Sequence, residues 1–254
     1  MPSLSIIESR TVDGCDYHGN RCKIIVLKDD RQKKIYYIHR GTATTSQFLL
    51  QLLSFLALPK NFHGNWGINP YYAHLIEKLW DRNKIYKEAH NTTYRNEFTH
   101  VFIGHSMGGV LAYLAAIRAV ESGIPHERVH LITFGQPRST TRGFSKHVDE
   151  MLSYSFRIVT GADPFPRLPK CIGFPFLGCA KDIDFGYYHH GNMIWLPEKG
   201  SKTAKVCDGY PNNEDRSCRR PNIDVDDHVM FYGLQINRFA DSCDLSSYKK
   251  NCQS

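Results

Sequence analysis

The stretch Phe98-Thr-His-Val-Phe-Ile-Gly104-His105-Ser106-Met107-Gly108-Gly109 limits what this chain can fold into more than any other part of it. Val101-Phe102-Ile103 reads as a buried strand and Val110 to Arg118 as a helix of good formers, so strand becomes helix within a few residues. Ser106 sits on that corner. So sharp a turn drives the serine towards positive φ and crowds the backbone on either side, which is why glycine suits Gly104 and Gly108. The corner holds Oγ out of the sheet edge, and the following helix N-terminus aims the Met107 N–H at a point where negative charge could develop. Ser106 is therefore the candidate nucleophile. The plain alternative is a Gly-rich turn carrying an idle serine, and the strand-turn-helix order argues against it.

A chain of 254 residues that is 41% apolar can bury a full core, and residues 1–254 read as a single α/β domain with no second one. The formal charge of +7 comes from scattered Lys and Arg, without the dense run or aromatic interleaving of a nucleic-acid groove. No apolar run reaches the length of a membrane span. Eight cysteines fall as close sequential pairs, Cys15 with Cys22, Cys171 with Cys179, Cys207 with Cys218 and Cys243 with Cys252, the last tying the tail 243–254. Sequential disulfides are the most economical pairing, each stabilising by about 2.5 kcal/mol. Without a Cys-x-x-Cys there is no sign of zinc, and no metal site is expected. Asn91-Thr92-Thr93 is a glycosylation sequon and fits an extracellular surface loop. The N-terminus lacks a basic start and a sustained apolar core, so a secreted chain would have lost its leader or would begin downstream of it.

Along the chain, Lys23 to Leu27 and Ile35 to Ile38 read as a hairpin whose second strand exits through His39-Arg40-Gly41-Thr42, where Thr42 offers an N–H and a hydroxyl to an oxyanion. Ser46 to Leu58 reads as a helix with a narrow polar stripe of Gln47, Gln51 and Ser54 and a wide apolar face carrying Phe48, Leu49, Leu52, Phe55 and Leu56. That helix is either buried core or a mobile lid over a site. Residues 61–70 are turn-rich, with His63 and Trp66 read as structural, and a helix is expected over 71–87. Strands are expected at 128–134, 154–160 and 187–195, with a short helix at 144–152 and a polar Cys-tied excursion at 199–222. Phe174, Phe176 and Leu177 stand at the tip of the loop between Cys171 and Cys179, packed inwards or exposed to grip lipid. A final helical stretch should open at Asp226-Asp227-His228.

Thirteen histidines compete for the role of base. His105 neighbours the serine, but side chains diverge on a tight elbow, which leaves it to packing. Asp163, just past a strand end and followed by Pro164, suits a carboxylate that must orient an imidazole without moving. The order serine, acid, histidine is met by Ser106, Asp163 and His228, with His189 the fallback and His190 its neighbour. No matching third ligand supports a metal at the His189-His190 pair.

Taken together, His39-Arg-Gly-Thr42, Phe62-His-Gly64, Gly104-His-Ser-Met-Gly-Gly109, Thr133-Phe-Gly-Gln-Pro-Arg138, Asp163-Pro-Phe-Pro-Arg-Leu-Pro169 and Asp227-His-Val-Met-Phe-Tyr-Gly233 resemble the fungal-type, class 3 lipase family from about residue 12 onwards. The cysteine pattern is similar to that of its secreted invertebrate members. The resemblance implies an α/β-hydrolase fold, a mostly parallel sheet flanked by helices, and hydrolysis of acylglycerol esters. It also implies a triad of Ser106, Asp163 and His228, an oxyanion hole from Thr42 and Met107, and a lid between Thr42 and Leu58. His39 departs from the family's usual aromatic before Arg-Gly. The expected protein is a secreted, monomeric serine esterase that needs no cofactor, takes a lipid ester as substrate and touches lipid–water interfaces without spanning them. A phospholipase, a small-ester or feruloyl-type esterase, and a catalytically silent lipid-binding or interaction protein are the alternatives.

Overall fold

A computed structural model of the chain describes residues 4–62, 66–80, 86, 89, 91–169, 186–201, 203–209, 215 and 217–236, with the side chains of Thr45, Leu49, Phe62 and Trp66 excepted. In chain order the elements are β1 (Leu4–Val12), β2 (Cys22–Asp29), β3 (Lys34–His39), α1 (Thr45–Ser54), β4 (Lys60–Phe62), β5 (Trp66–Ile68), α2 (Pro70–Trp80) and α3 (Thr92–Glu97). They continue with β6 (Thr99–His105), α4 (Met107–Glu121), β7 (Val129–Phe134), β8 (Thr140–Thr141), α5 (Arg142–Met151), β9 (Tyr154–Thr160), β10 (Tyr187–Tyr188), β11 (Asn192–Leu196) and β12 (Lys205–Val206). A 3-10 turn at Val225–Val229 and the strands β13 (Met230–Phe231) and β14 (Leu234–Gln235) follow.

The large sheet has the order β1-β2-β3-β6-β7-β9-β11-β12. From β3 to β11 neighbouring strands run parallel, while β1, β2 and β12 close the two ends antiparallel. This is the α/β-hydrolase architecture, a mostly parallel sheet with flanking helices. Parallel strands all end on the same edge, so the exits of β3, β6, β7 and β9 bring Thr42, Ser106, Gly135 and Asp163 to one side of the molecule. The helix α4 lies on the sheet and is buried almost all round, from Met107 to Ala119, as its lack of a polar face requires. Ile35, Tyr37, Phe102, Leu131, Val110, Leu111 and Leu114 form the centre of the core between them.

Several elements differ from expectation for identifiable reasons. The stretch 4–12 adds a strand to the predicted hairpin, and the turn-rich 61–70 contains the pair β4–β5, which joins a second sheet of order β10-β8-β5-β4. The helix expected over 71–87 is described as Pro70–Trp80. The expected strand 187–195 is two strands in different sheets, broken where Gly191 takes φ 66°. The helical stretch expected from Asp226 is a 3-10 turn followed by a hairpin, because Tyr232 and Gly233 both have positive φ and close a two-residue turn. Disulfides join Cys15 to Cys22 and Cys207 to Cys218. Cys171, Cys179, Cys243, Cys252, Phe174, Phe176, Leu177 and His63 lie outside the described residues. Among the described residues, no helix is long and apolar enough to cross a membrane.

Candidate active site

Ser106 stands between β6 and α4 with φ 56° and ψ −125°, a conformation that L-residues rarely adopt. The surroundings hold it there. Its N–H donates to the Phe134 carbonyl at 2.8 Å, and its own carbonyl accepts the Gly109 N–H at 2.9 Å. A Cβ on Gly104 would lie 2.0 Å from the Gly108 carbonyl oxygen, and one on Gly108 would lie 2.3 Å from the His39 carbonyl oxygen. Only glycine at both positions lets strand, helix and the β3 exit approach so closely. Met107 is the first residue of α4, so its N–H has no acceptor within the helix and lies at the positive end of the helix dipole.

Asp163 and His228 are brought together from 65 positions apart: His228 Nδ1 donates to Asp163 Oδ2 at 2.9 Å, with both residues buried. The other carboxylate oxygen, Oδ1, accepts the Phe165 N–H at 2.9 Å, which fixes the plane of the acid. With Nδ1 protonated, Nε2 keeps its lone pair and can accept a proton. Phe165 packs over the imidazole with ring centres 4.0 Å apart, and Phe48 of α1 packs edge-on against Phe165 at 5.8 Å.

Further residues brace this pair, and three of them, His105, Gly135 and Asp227, do so from inside the quoted motifs in roles the motifs did not state. His105 donates through Nε2 to the His228 carbonyl at 2.7 Å, a bond that the expectation of simple packing missed. Burial and the neighbouring His228 lower the His105 pKa to about 3, so it works as a neutral donor. Asp227 accepts the Ala162 N–H at 2.7 Å, which pins the turn next to Asp163, and Lys199 pairs with Asp224 at 2.7 Å at the head of the same 3-10 turn. Gly135 takes φ 55°, and a Cβ there would lie 2.8 Å from His228 Nδ1 and 3.0 Å from Asp163 Oδ2. In the sequence Gly135 follows the strand expected at 128–134 and falls within Thr133-Phe-Gly-Gln-Pro-Arg138. Its closeness to the acid and the imidazole is tertiary and left no local trace.

The Thr42 hydroxyl donates to Gln51 Oε1 at 2.9 Å, and the neighbouring Ala43 N–H donates to Gln47 Oε1 at 3.0 Å. The polar stripe of α1 therefore faces inwards, with Gln47 0% and Gln51 1% exposed. The helix expected to reach Leu58 ends at Ser54, and Leu53 on it and Leu56 and Leu58 beyond it are 62%, 85% and 73% exposed. Of the other expected lid residues, Phe48, Leu52 and Phe55 are half-buried, and the Leu49 side chain is outside the described set. The fallback His189 is buried against the Pro166 carbonyl at 2.6 Å, and His190 stacks on Tyr113 with ring centres 3.8 Å apart. Burial and Arg157 push the pKa of both far down, and both belong to the core rather than to the serine. Among the described residues, the only close grouping of ligand-type atoms is Cys207, Asp215 and Cys218, and its two sulfurs are joined to each other.

Residues 36–173 match the family model described as Lipase (class 3). A lipase of Caenorhabditis elegans is 32% identical over 91% of this chain and 71% of its own length. The chain belongs to the class 3 lipase family. As a member it is a carboxylic ester hydrolase. A secreted mono- and diacylglycerol lipase of Fusarium solani is 34% identical over 74% of this chain, which spans only 53% of that relative. The solved Rhizomucor miehei lipase propeptide complex superposes with a TM-score of 0.72 at 21% identity, covering 92% of this chain and 70% of that one, and so shares the fold.

Proposed function

We propose that the chain is a secreted lipase that cleaves acylglycerol esters through Ser106, His228 and Asp163. The observation that carries this reading is the buried 2.9 Å bond between His228 and Asp163, on the same sheet edge as the strained Ser106. His228 Nε2 takes the Ser106 proton as Oγ attacks the ester carbonyl. Asp163 keeps the imidazole in the right tautomer and stabilises the imidazolium that forms. Charge on the tetrahedral oxygen meets the Met107 N–H at the head of α4 and the backbone of Thr42. His228 then protonates the departing alcohol, and a water activated by the same imidazole releases the acid from the acyl-serine. That water's proton passes through His228 back to Ser106 Oγ, so the two side chains end as they began and one water is consumed.

Ester chemistry on lipid is supported by α1. Leu53 and, just beyond the helix, Leu56 and Leu58 suit contact with an acyl surface, while Gln47 and Gln51 brace the Thr42 turn, which supports the reading of this segment as a lid. Secretion is supported by two disulfides, by the Fusarium relative, whose name marks it as secreted, and by the exposed Asn91, whose sequon could carry a glycan. The direct test is hydrolysis of short- and long-chain glycerol esters below and above their solubility limits, with Ser106→Ala as blank. Expected is turnover of both classes, faster per molecule once the long-chain ester forms a surface, and a fall of about 10⁴-fold or more in the blank. Turnover of wild type no greater than the blank on every ester would overturn the reading. Turnover of phospholipid or feruloyl esters alone would replace the substrate and keep the chemistry.

A further inference from the structure

The loop closed by Cys15–Cys22 lies outside the site, yet its hydrogen bonds run to the Met107 side chain and to the residues just after Thr42, next to the two proposed oxyanion donors. Asp16 is 3% exposed and has four donors on its carboxylate: the His18 N–H at 3.0 Å, the Asn20 N–H at 2.9 Å, Asn20 Nδ2 at 2.8 Å and the Tyr71 hydroxyl at 3.2 Å. That same Tyr71 hydroxyl lies 3.8 Å from Met107 Sδ, at the first residue of the elbow helix. On its other side, Asn20 Oδ1 accepts the hydroxyls of Thr44 at 2.7 Å and Ser46 at 2.9 Å. Thr44 is the N-cap of α1, its Oγ1 accepting the Gln47 N–H at 3.1 Å, and it stands two residues after Thr42. The loop is itself braced, through Cys15 N–H to the Asn20 carbonyl at 2.8 Å and Arg40 N–H to the Lys23 carbonyl at 3.0 Å.

These bonds answer a question that α1 raises. α1 and the turn after it leave Leu53, Leu56 and Leu58 exposed, so the packing of Leu50 and Phe55 on the core is supplemented by polar contacts at the start of the helix. The hydroxyls of Thr44 and Ser46 supply them by donating to Asn20 Oδ1, and Asn20 is held in turn by charge-assisted bonds to the buried, fully paired Asp16 carboxylate. We propose that Asn20, backed by Asp16, is a positioning residue: a latch that ties the start of α1 to the disulfide-closed loop and holds the oxyanion hole assembled before any lipid surface is met. The proposal rests on the ester-hydrolase reading for what the hole does, but not for the latch itself.

The test compares wild type with Asn20→Ala on a dissolved short-chain ester and on a dispersed long-chain one, with chymotrypsin cleavage within residues 46–58 as a readout independent of activity. Loss of the latch misplaces groups used only in the transition state, so kcat on the dissolved ester should fall about five- to tenfold with KM within twofold. On the dispersed ester the surface holds the leucines instead, and the deficit should shrink to less than twofold. Cleavage within 46–58 should rise several-fold at an unchanged melting temperature. Thr44→Val added to Asn20→Ala should cost less than the sum of the two single changes, because they share the Asn20–Thr44 contact. Equal deficits on both esters, or unchanged kcat and cleavage, would overturn the latch. If wild type turns over neither ester, the enzyme reading fails, and the cleavage comparison still decides whether Asn20 holds α1.

Discussion

At the scale of single residues, the site depends as much on what is missing as on what is present. Gly135 leaves room for the imidazole and the carboxylate to meet, and adding one methyl would push on His228 Nδ1 and Asp163 Oδ2 together while straining a backbone at φ 55°. Gly135→Ala is therefore expected to lower kcat by about 10²-fold, the usual cost of misplacing a reacting group by around an ångström, with a smaller effect on KM. Steady-state kinetics on a dissolved ester checks this, and a loss under threefold would mean that the pair tolerates displacement. The same residue shows how much of the site the sequence held. Ser106 was legible because a strand, a turn and a helix must follow one another locally. Asp163 and His228 were legible by their order along the chain. The His105 bond to the His228 carbonyl spans 123 positions and could not be read from spacing.

At the scale of elements, α1 and the final hairpin were the hardest to foresee, because tertiary contacts override local preference in both. The periodicity of 46–58 placed Gln47 and Gln51 on one stripe but ran the helix past Ser54 and left open which side turns inwards; Phe48, Leu52 and Phe55 of the expected apolar face are half-buried. Two buried glutamine acceptors for the Thr42 hydroxyl and the Ala43 N–H decide it, since an unpaired donor there would cost more than an exposed leucine. After Asp226 the chain has helix-compatible residues, but Asp227 is held by the Ala162 N–H and the His228 carbonyl by His105, so a 3-10 turn replaces the helix. For α1 the consequence is measurable. Each exposed leucine contributes about 1.5 kcal/mol on entering an apolar phase, around tenfold in partitioning. Leu56→Ser is accordingly expected to weaken adsorption to dispersed triacylglycerol about tenfold, read from sedimentation with the lipid. Unchanged adsorption would move the lipid contact away from the turn that follows α1.

At the scale of the whole molecule, the class of fold was legible from apolar strands alternating with helices, whereas β1 and the small second sheet were not, because short or polar strands carry little pattern. Buried histidines give the fold a pH limit. His39 donates to the Ile103 carbonyl at 3.3 Å and accepts the Tyr86 hydroxyl at 2.7 Å, and burial lowers its pKa to about 4. Burial likewise lowers His100 to about 4 and, with His228 nearby, His105 to about 3. The unfolded chain takes up these protons near pH 6.5 while the folded chain refuses them, so their contribution to stability is whole above that pH and is lost as pH falls towards 4. Urea unfolding should show stability dropping by a few kcal/mol between pH 6.5 and 4.5, with a shallower slope in His39→Phe. A flat profile would contradict the neutral, buried state of these rings. The central claim, that the fold exists to activate Ser106, is tested most directly by labelling with a fluorophosphonate, which bonds only to a serine made nucleophilic. The account expects wild type to be labelled at a single site, with Ser106→Ala unlabelled and His228→Ala slowed by about 10³-fold or more; wild type labelling no faster than Ser106→Ala would contradict it.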